Sequence, residues 1–233
     1  MKNIKIITFV VLLLFVSSFS FAQNPVRVIY DHLFYSYMKG TNTELTNQFI
    51  TNFVRDYHPD VYRDNFGNDF LWHDVLTKYR NEITTSITNI NLTAEYFFNT
   101  GMDLGNYDFD KDGFSVRIAP NVFIPYNSTE ERPGNLFYYL PVSTLHFTNF
   151  SEYNLLKMSR DDGNAFLRSR TNNNVTNRRV SLRVYFTIND FASSEYVNLI
   201  RLLNPASNLI VLGTVYKVEV YDGTRLIGEL SKS

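Results

Sequence analysis

The chain contains no cysteine. That excludes disulfide staples, thiolate metal ligands, a cysteine nucleophile and a lipid-bearing cysteine behind a leader. Catalytic signatures are equally sparse. No G-x-S-x-G elbow, no H-E-x-x-H pair and no glycine-rich phosphate loop occurs in the 233 residues, so the commonest hydrolase, metalloprotease and nucleotide-binding patterns are missing. Positive charge is short as well. With Lys2 and Lys5 set aside, the 22 basic residues fall to 20 against 23 acidic ones, a net charge of −3. A chain without a basic field is not expected to bind nucleic acid. Beyond Val16 no apolar run approaches the roughly 20 residues that a membrane-spanning helix needs.

What is present begins at the N-terminus. "MKNIKIITFVVLLLFVSSFSFAQ" runs from Lys2 and Lys5 through an apolar stretch, Ile6 to Val16, into Ser20-Phe21-Ala22. This is the pattern of a cleavable signal peptide over residues 1–22, with the cut before Gln23. The mature protein is thus expected in the periplasm or outside the cell, with no lipid anchor and no integral membrane segment. About 210 residues are enough for one hydrophobic core, and no linker interrupts residues 23–233, so one domain is expected.

Hydrophobic period changes along the chain. In "TNTELTNQFITNFVRDY", Leu45, Phe49, Ile50, Phe53, Val54 and Tyr57 recur at helical spacing, Thr41 and Glu44 have the spacing of a capping box, and His58-Pro59 ends the run. A second helix is predicted from a cap at Asn68, burying Phe70, Leu71, Val75, Leu76, Tyr79 and Ile83. "AEYFFNTGMDLG" and "NYDF" read as strands. A short helix is predicted in "SRDDGNAFLRS", capped by Ser159, with Ala165, Phe166 and Leu167 facing inward and Gly163 weakening it. In "RRVSLRVYFTIND", Val180, Leu182, Val184, Phe186 and Ile188 alternate with Ser181, Arg183, Tyr185 and Thr187, a strand with one wet face. "GTVYKVEVYDGTRLIGEL" is a hairpin turning at Asp222-Gly223. The expected fold is α+β, with N-terminal amphipathic helices on a mainly antiparallel sheet formed largely by the C-terminal half.

Three stretches, "LGNYDF" followed by "GF", "MSRDDGNAFL" and "RRVSLRVYFTI", together resemble a family of exported Gram-negative bacterial proteins built on a domain of unknown function. The resemblance implies no activity, substrate or catalytic residue. It does imply that "YDF" and "GF" belong to the fold.

The acids of "YDFDKDGF" invite a metal. Asp108, Asp110 and Asp112 match positions one, three and five of a helix-loop-helix calcium loop, with Gly113 at six. Position twelve, which should be glutamate, is Ala119, and Phe114, Val116 and Ile118 alternate like a strand. The competing reading is a hairpin with Tyr107, Phe109, Phe114, Val116 and Ile118 inward, and a type I turn over Asp110 to Gly113 closed by a left-handed glycine. The flanking period favours the hairpin and the side-chain chemistry favours the ion. No other cofactor is expected.

Two further constellations stand out. "RDYHPDVYRDNFGNDFLWHD" carries His58, Asp60, Asp64, Asp69, His73 and Asp74, which would serve a metal or a solvated connection between helices. Arg168, Arg170, Arg178 and Arg179 gather around a polar loop, where forked guanidinium groups would take an anionic ligand or partner, or complement a helix end. The 16% aromatic content is nearly all Phe and Tyr, with one Trp, which at helical and strand spacing points to core. Two functions therefore remain. The first is a non-enzymatic exported domain that binds a protein or small ligand; the other is a secreted hydrolase built from scattered carboxylates with His58 or His73.

Overall fold

The computed structural model describes residues 24–125, 142–191 and 207–232; the leader expected over residues 1–22 and the cleavage site before Gln23 lie outside them. The fold is α+β, with helices concentrated before residue 90 and a mainly antiparallel sheet drawn largely from the C-terminal half. No helix among the described residues is long and apolar enough to cross a membrane.

The sheet is organised by two long strands, β10 (Arg179–Phe191) and β11 (Ser207–Asp222), which pair antiparallel. Beyond β10 lie β2 (Glu95–Asp103), antiparallel, and the two-residue β1 (Val26–Arg27), parallel to β2. On its other edge β11 is long enough for two partners in succession. Its first half pairs parallel with β6 (Val142–Phe147), which carries β5 (Asn121–Pro125). Its second half forms the hairpin with β12 (Arg225–Lys232), and Gly223 supplies the positive φ of 62° that the turn requires. From β12 the sheet continues through β7 (Tyr153–Lys157) and β4 (Gly113–Ser115) to β3 (Tyr107–Asp108). A separate ribbon joins β8 (Thr171–Asn172) to β9 (Val175–Thr176).

The alternation of β10 decides the two faces. Val180, Leu182, Val184, Phe186 and Ile188 are all buried, in one core with Phe98, Phe147, Phe150, Val218 and Val220. On the opposite face a register shift pairs Tyr185 with Lys217 and Phe186 with Val215. Tyr216 is the extra residue of this bulge, and it is exposed.

The helical part begins with α1 (Tyr30–Gly40), which helical period in the sequence does not announce. It is apolar on two sides: Leu33 joins the sheet core, while Tyr30, Phe34 and Met38 join a second core made by the helices. A helix sandwiched in this way loses its polar stripe. Packed on its outer side are α2 (Asn47–Tyr57) and α4 (Asp69–Asn89), with α3 (Pro59–Asn65) between them. The helices therefore stack on one another, with α1 as the layer beneath.

Local chemistry fixes the helix ends. Asn68 caps α4 as expected, its Oδ1 accepting from the amides of Phe70 and Leu71 at 3.1 and 3.2 Å. The start of α2 lies later than expected. Thr46 caps it, accepting from Phe49 N at 3.1 Å, whereas Thr41 closes α1 by donating to Tyr37 O at 2.7 Å. Lys39 reaches across from α1 to cap α4, donating to Ile90 O at 2.7 Å. Phe70 and Leu71, expected inside, are 86% and 48% exposed; Leu76, Tyr79 and Ile83 one turn and more later carry the burial. The His58 to Asn68 connection holds the helix α3. Ser159 caps α5 (Arg160–Ser169), but only Phe166 and Gly163 are fully buried there, and Ala165 is exposed. Gly163 is a packing requirement, since a Cβ would lie 2.9 Å from the Tyr107 ring.

On the sheet, one buried hydroxyl among the described residues is left over. Ser143 Oγ, on β6, is fully buried and meets no hydrogen-bond partner among the described residues. An unmet buried hydroxyl costs about 1–3 kcal/mol, more than the few contacts an oxygen atom returns. Ser143→Ala is therefore expected to raise Tm by a few degrees, about 2–4 °C per kcal/mol for a chain of this size. A lower Tm in a circular-dichroism melt would contradict this.

Candidate functional site

The two rows of aromatics that face each other across the helical core arise from i,i+4 spacing. On α1, Tyr30 and Phe34 stack with ring centroids 5.8 Å apart. On α2, Phe53 and Tyr57 stack at 4.6 Å. Phe34 lies 5.6 Å from Phe53, and the hydroxyls of Tyr30 and Tyr57 hydrogen-bond each other. From α4, Tyr79 closes the floor 6.1 Å from Phe53. These rings line a cleft of about 270 Å³, together with Asp31 and Tyr35 of α1 and Glu82 and Ser86 of α4.

His58 completes the wall, and Pro59 explains its position. A residue before proline is pushed out of helical geometry; His58 has φ −133° and ψ 57° between α2 and α3. The ring consequently folds back, 4.7 Å from the Tyr79 ring and 5.6 Å from that of Phe53. Burial lowers its pKa below the usual histidine range, Glu82 opposing and Lys78 adding to the effect, so the imidazole is neutral near pH 7. Burial raises the pKa of Asp31, against the pull of neighbouring His32. Lys78, one turn before Glu82, sits 5.3 Å from the Tyr79 centroid and 3.9 Å from the Glu82 carboxylate.

The residues singled out in the sequence fall elsewhere, apart from His58. Among the described residues, no three His, Cys, Asp or Glu side chains gather as a group able to hold a metal ion. Asp60 and Asp64 pair with Arg63 at 3.0 and 3.1 Å. His73 is exposed and is not part of the cleft.

"YDFDKDGF" forms the β3–β4 hairpin, with Tyr107 opposite Phe114 and Asp108 opposite Gly113. Asp108 Oδ1 accepts from the amides of Asp110 and Lys111 at 3.0 and 3.1 Å, so it closes the turn. Two details differ from expectation. Phe109 is 64% exposed and joins no strand, and the left-handed residue is Asp112, φ 48°, in place of Gly113. Gly113 is needed because a Cβ there would stand 2.4 Å from the carbonyl oxygen of Leu156 on β7.

The arginines divide by role. Arg170 donates to Asp222 at 2.7 Å and to Asn177 O at 2.9 Å, and also binds Arg179 O, tying α5 to the tip of the β11–β12 hairpin. Arg178 donates to Gly105 O at 2.6 Å. The guanidinium of Arg179 lies over Gly101 on β2, and Arg168 is exposed in the last turn of α5.

The cleft was not foreseen in the sequence. The pairs Tyr30/Phe34 and Phe53/Tyr57 carry a visible i,i+4 signal, yet only the fold brings the two rows together.

The family described as a domain of unknown function, DUF4852, matches residues 36–169, and the chain belongs to it. The match runs from the middle of α1 to the end of α5, taking in most of the helical layer and the β3–β4 hairpin, and stops short of β10. No curated protein and no solved structure matches the chain.

Proposed function

We propose that this DUF4852 protein is an exported, non-enzymatic binding domain whose ligand site is the aromatic cleft between α1, α2 and α4. The observation that carries the reading is the wall itself: Tyr30, Phe34, Phe53, Tyr57 and Tyr79 around one recess that Asp31, His58, Glu82 and Ser86 also line. Concave recesses that combine aromatic walls with a few polar groups are where small ligands bind. Its volume lies below the roughly 300–1,000 Å³ usual for drug-sized ligands, so the occupant is small. Export rests on Lys2, Lys5, the apolar Ile6 to Val16 and Ser20-Phe21-Ala22, and mass spectrometry of the secreted product should find Gln23 at its start.

Ring resonances of Phe53 and Tyr57 should shift saturably when a mixture of small cationic, neutral and sugar fragments is titrated in. Tyr57→Ala removes one wall and its hydroxyl bond to Tyr30, and is expected to weaken any such binding at least about tenfold, the equivalent of ~1.4 kcal/mol. Shifts spread evenly over the protein would count against the cleft.

A second reading, a secreted hydrolase, draws on His58, Ser86, Asp31 and Glu82 lining one cleft. A histidine base must reach its nucleophile by a hydrogen bond. His58 meets the rings of Phe53 and Tyr79 instead, which supports binding over catalysis. Hydrolysis of p-nitrophenyl acetate that His58→Ala abolishes would reverse that preference.

A further inference from the structure

We propose that the occupant of the cleft is a small organic cation, an alkylated or quaternary ammonium group held against the aromatic faces and balanced by the carboxylates of Asp31 and Glu82. The inference rests on the cleft being the ligand site. Three observations converge on the class. Among the described residues, the only formally charged side chains in the lining are acidic, Asp31 and Glu82, a charge that disfavours an anion. The Tyr30 and Tyr57 hydroxyls are engaged with each other, which leaves a polyol few donors along that wall. Aromatic faces attract a cation through their quadrupole, most strongly where water is displaced.

The rim already displays this chemistry. Lys78 holds its ammonium 5.3 Å from the centre of the Tyr79 ring and 3.9 Å from Glu82, one cation satisfied by a ring and a carboxylate together. Among the described residues lining the rings there is no lysine or arginine, and burial keeps His58 neutral. An alkylated ammonium suits this better than a primary amine: its methyl groups match the apolar walls and it demands no hydrogen-bond acceptor from them.

The test uses the mature chain, residues 23–233, with three probes: choline, its uncharged isostere 3,3-dimethylbutan-1-ol, and glucose. Binding is read from the Phe53 and Tyr57 ring resonances. Choline is expected to bind at least about tenfold more tightly than the isostere. Glu82→Gln and Asp31→Asn should each weaken choline several-fold, leave the isostere unchanged, and preserve the remaining spectrum. Equal affinity for choline and the isostere, or a preference for glucose, overturns the cationic class and leaves the cleft as a ligand site. Failure of every probe and fragment, charged or neutral, to move these rings overturns the class and the cleft together.

Discussion

Gly113→Ala is expected to destabilise the protein by about 3 kcal/mol or more, at the upper end of what overpacking costs. The added methyl would lie 2.4 Å from the Leu156 carbonyl oxygen and 3.0 Å from the Leu155 side chain. The carbonyl cannot yield cheaply. Leu156 belongs to β7 and pairs with Phe114, which is fully buried, so relief requires β4 to move and the core to follow. For a chain of this length the corresponding fall in Tm is on the order of 10 °C.

The neighbouring acid is expected to behave oppositely. Asp112 occupies left-handed space at φ 48°, where glycine is at no steric disadvantage, so Asp112→Gly should stay within about 1 kcal/mol of wild type and Asp112→Val should cost about 1–2. Millimolar calcium is expected to leave all these melts unchanged. A stable Gly113→Ala variant would contradict the packing argument, and a calcium-dependent rise in Tm that Asp110→Ala and Asp112→Ala remove would make the loop an ion site.

That contrast shows what a sequence pattern can convey. Three acids and a glycine fit two structures, and the alternating Phe114 and Val116 correctly favoured the hairpin. Which residue takes the positive φ depends on β7, more than 40 positions away in the chain, and no local pattern encodes it. The same division holds elsewhere. β10 was legible because one face is dry and the other wet. The caps at Asn68 and Ser159 were legible because their hydrogen bonds are local. Helix α1 was not, because burial on two sides erases the polar stripe that marks a surface helix. Phe70 and Leu71 have the spacing of α4's buried stripe, yet both are exposed and the helix meets the core through Trp72, Val75 and Leu76. The cleft combines the illegible helix with two legible ones. Of its wall, the sequence singled out only His58 as a chemical candidate, and it did so for metal or hydrolytic work rather than for ring contacts.

Glu219→Gln is the second change expected to have a large effect, about 2 kcal/mol at neutral pH, as suits hydrogen bonds to a charged acceptor. Glu219 is a buried carboxylate on the outward-facing side of β11, 9% exposed. It takes Lys217 Nζ at 2.7 Å, Tyr221 Oη at 2.6 Å and Tyr185 Oη at 2.8 Å. An amide in its place can still accept through its oxygen, but its NH2 group then faces either the Lys217 ammonium, which can only donate, or tyrosine hydroxyls that must turn from donor to acceptor. Lys217 also lies 4.3 Å from the Tyr185 ring centre, and Arg183 stacks 5.2 Å from both Phe97 and Tyr221, so the carboxylate organises most of this face.

Its titration gives the effect a pH signature. Burial pushes the Glu219 pKa up, but the Lys217 contact and the two tyrosine hydroxyls more than offset it, and the net shift is downward from the ordinary 4.5. A carboxyl held low in the folded state contributes stability that is complete above its unfolded value and is lost as pH falls through the folded one. Urea unfolding should therefore separate wild type from Glu219→Gln at pH 7, and the gap should close progressively as the buffer is taken below 4.5. Lys217→Met, which removes a partner that is itself a third exposed, should cost less, because both tyrosines still donate. A gap between wild type and Glu219→Gln that is the same at pH 7 and pH 3 would mean that shape rather than charge makes Glu219 matter. In that case the outer face would be held by the rings alone, among them Tyr216 of the bulge, whose ring lies 6.1 Å from that of Tyr185.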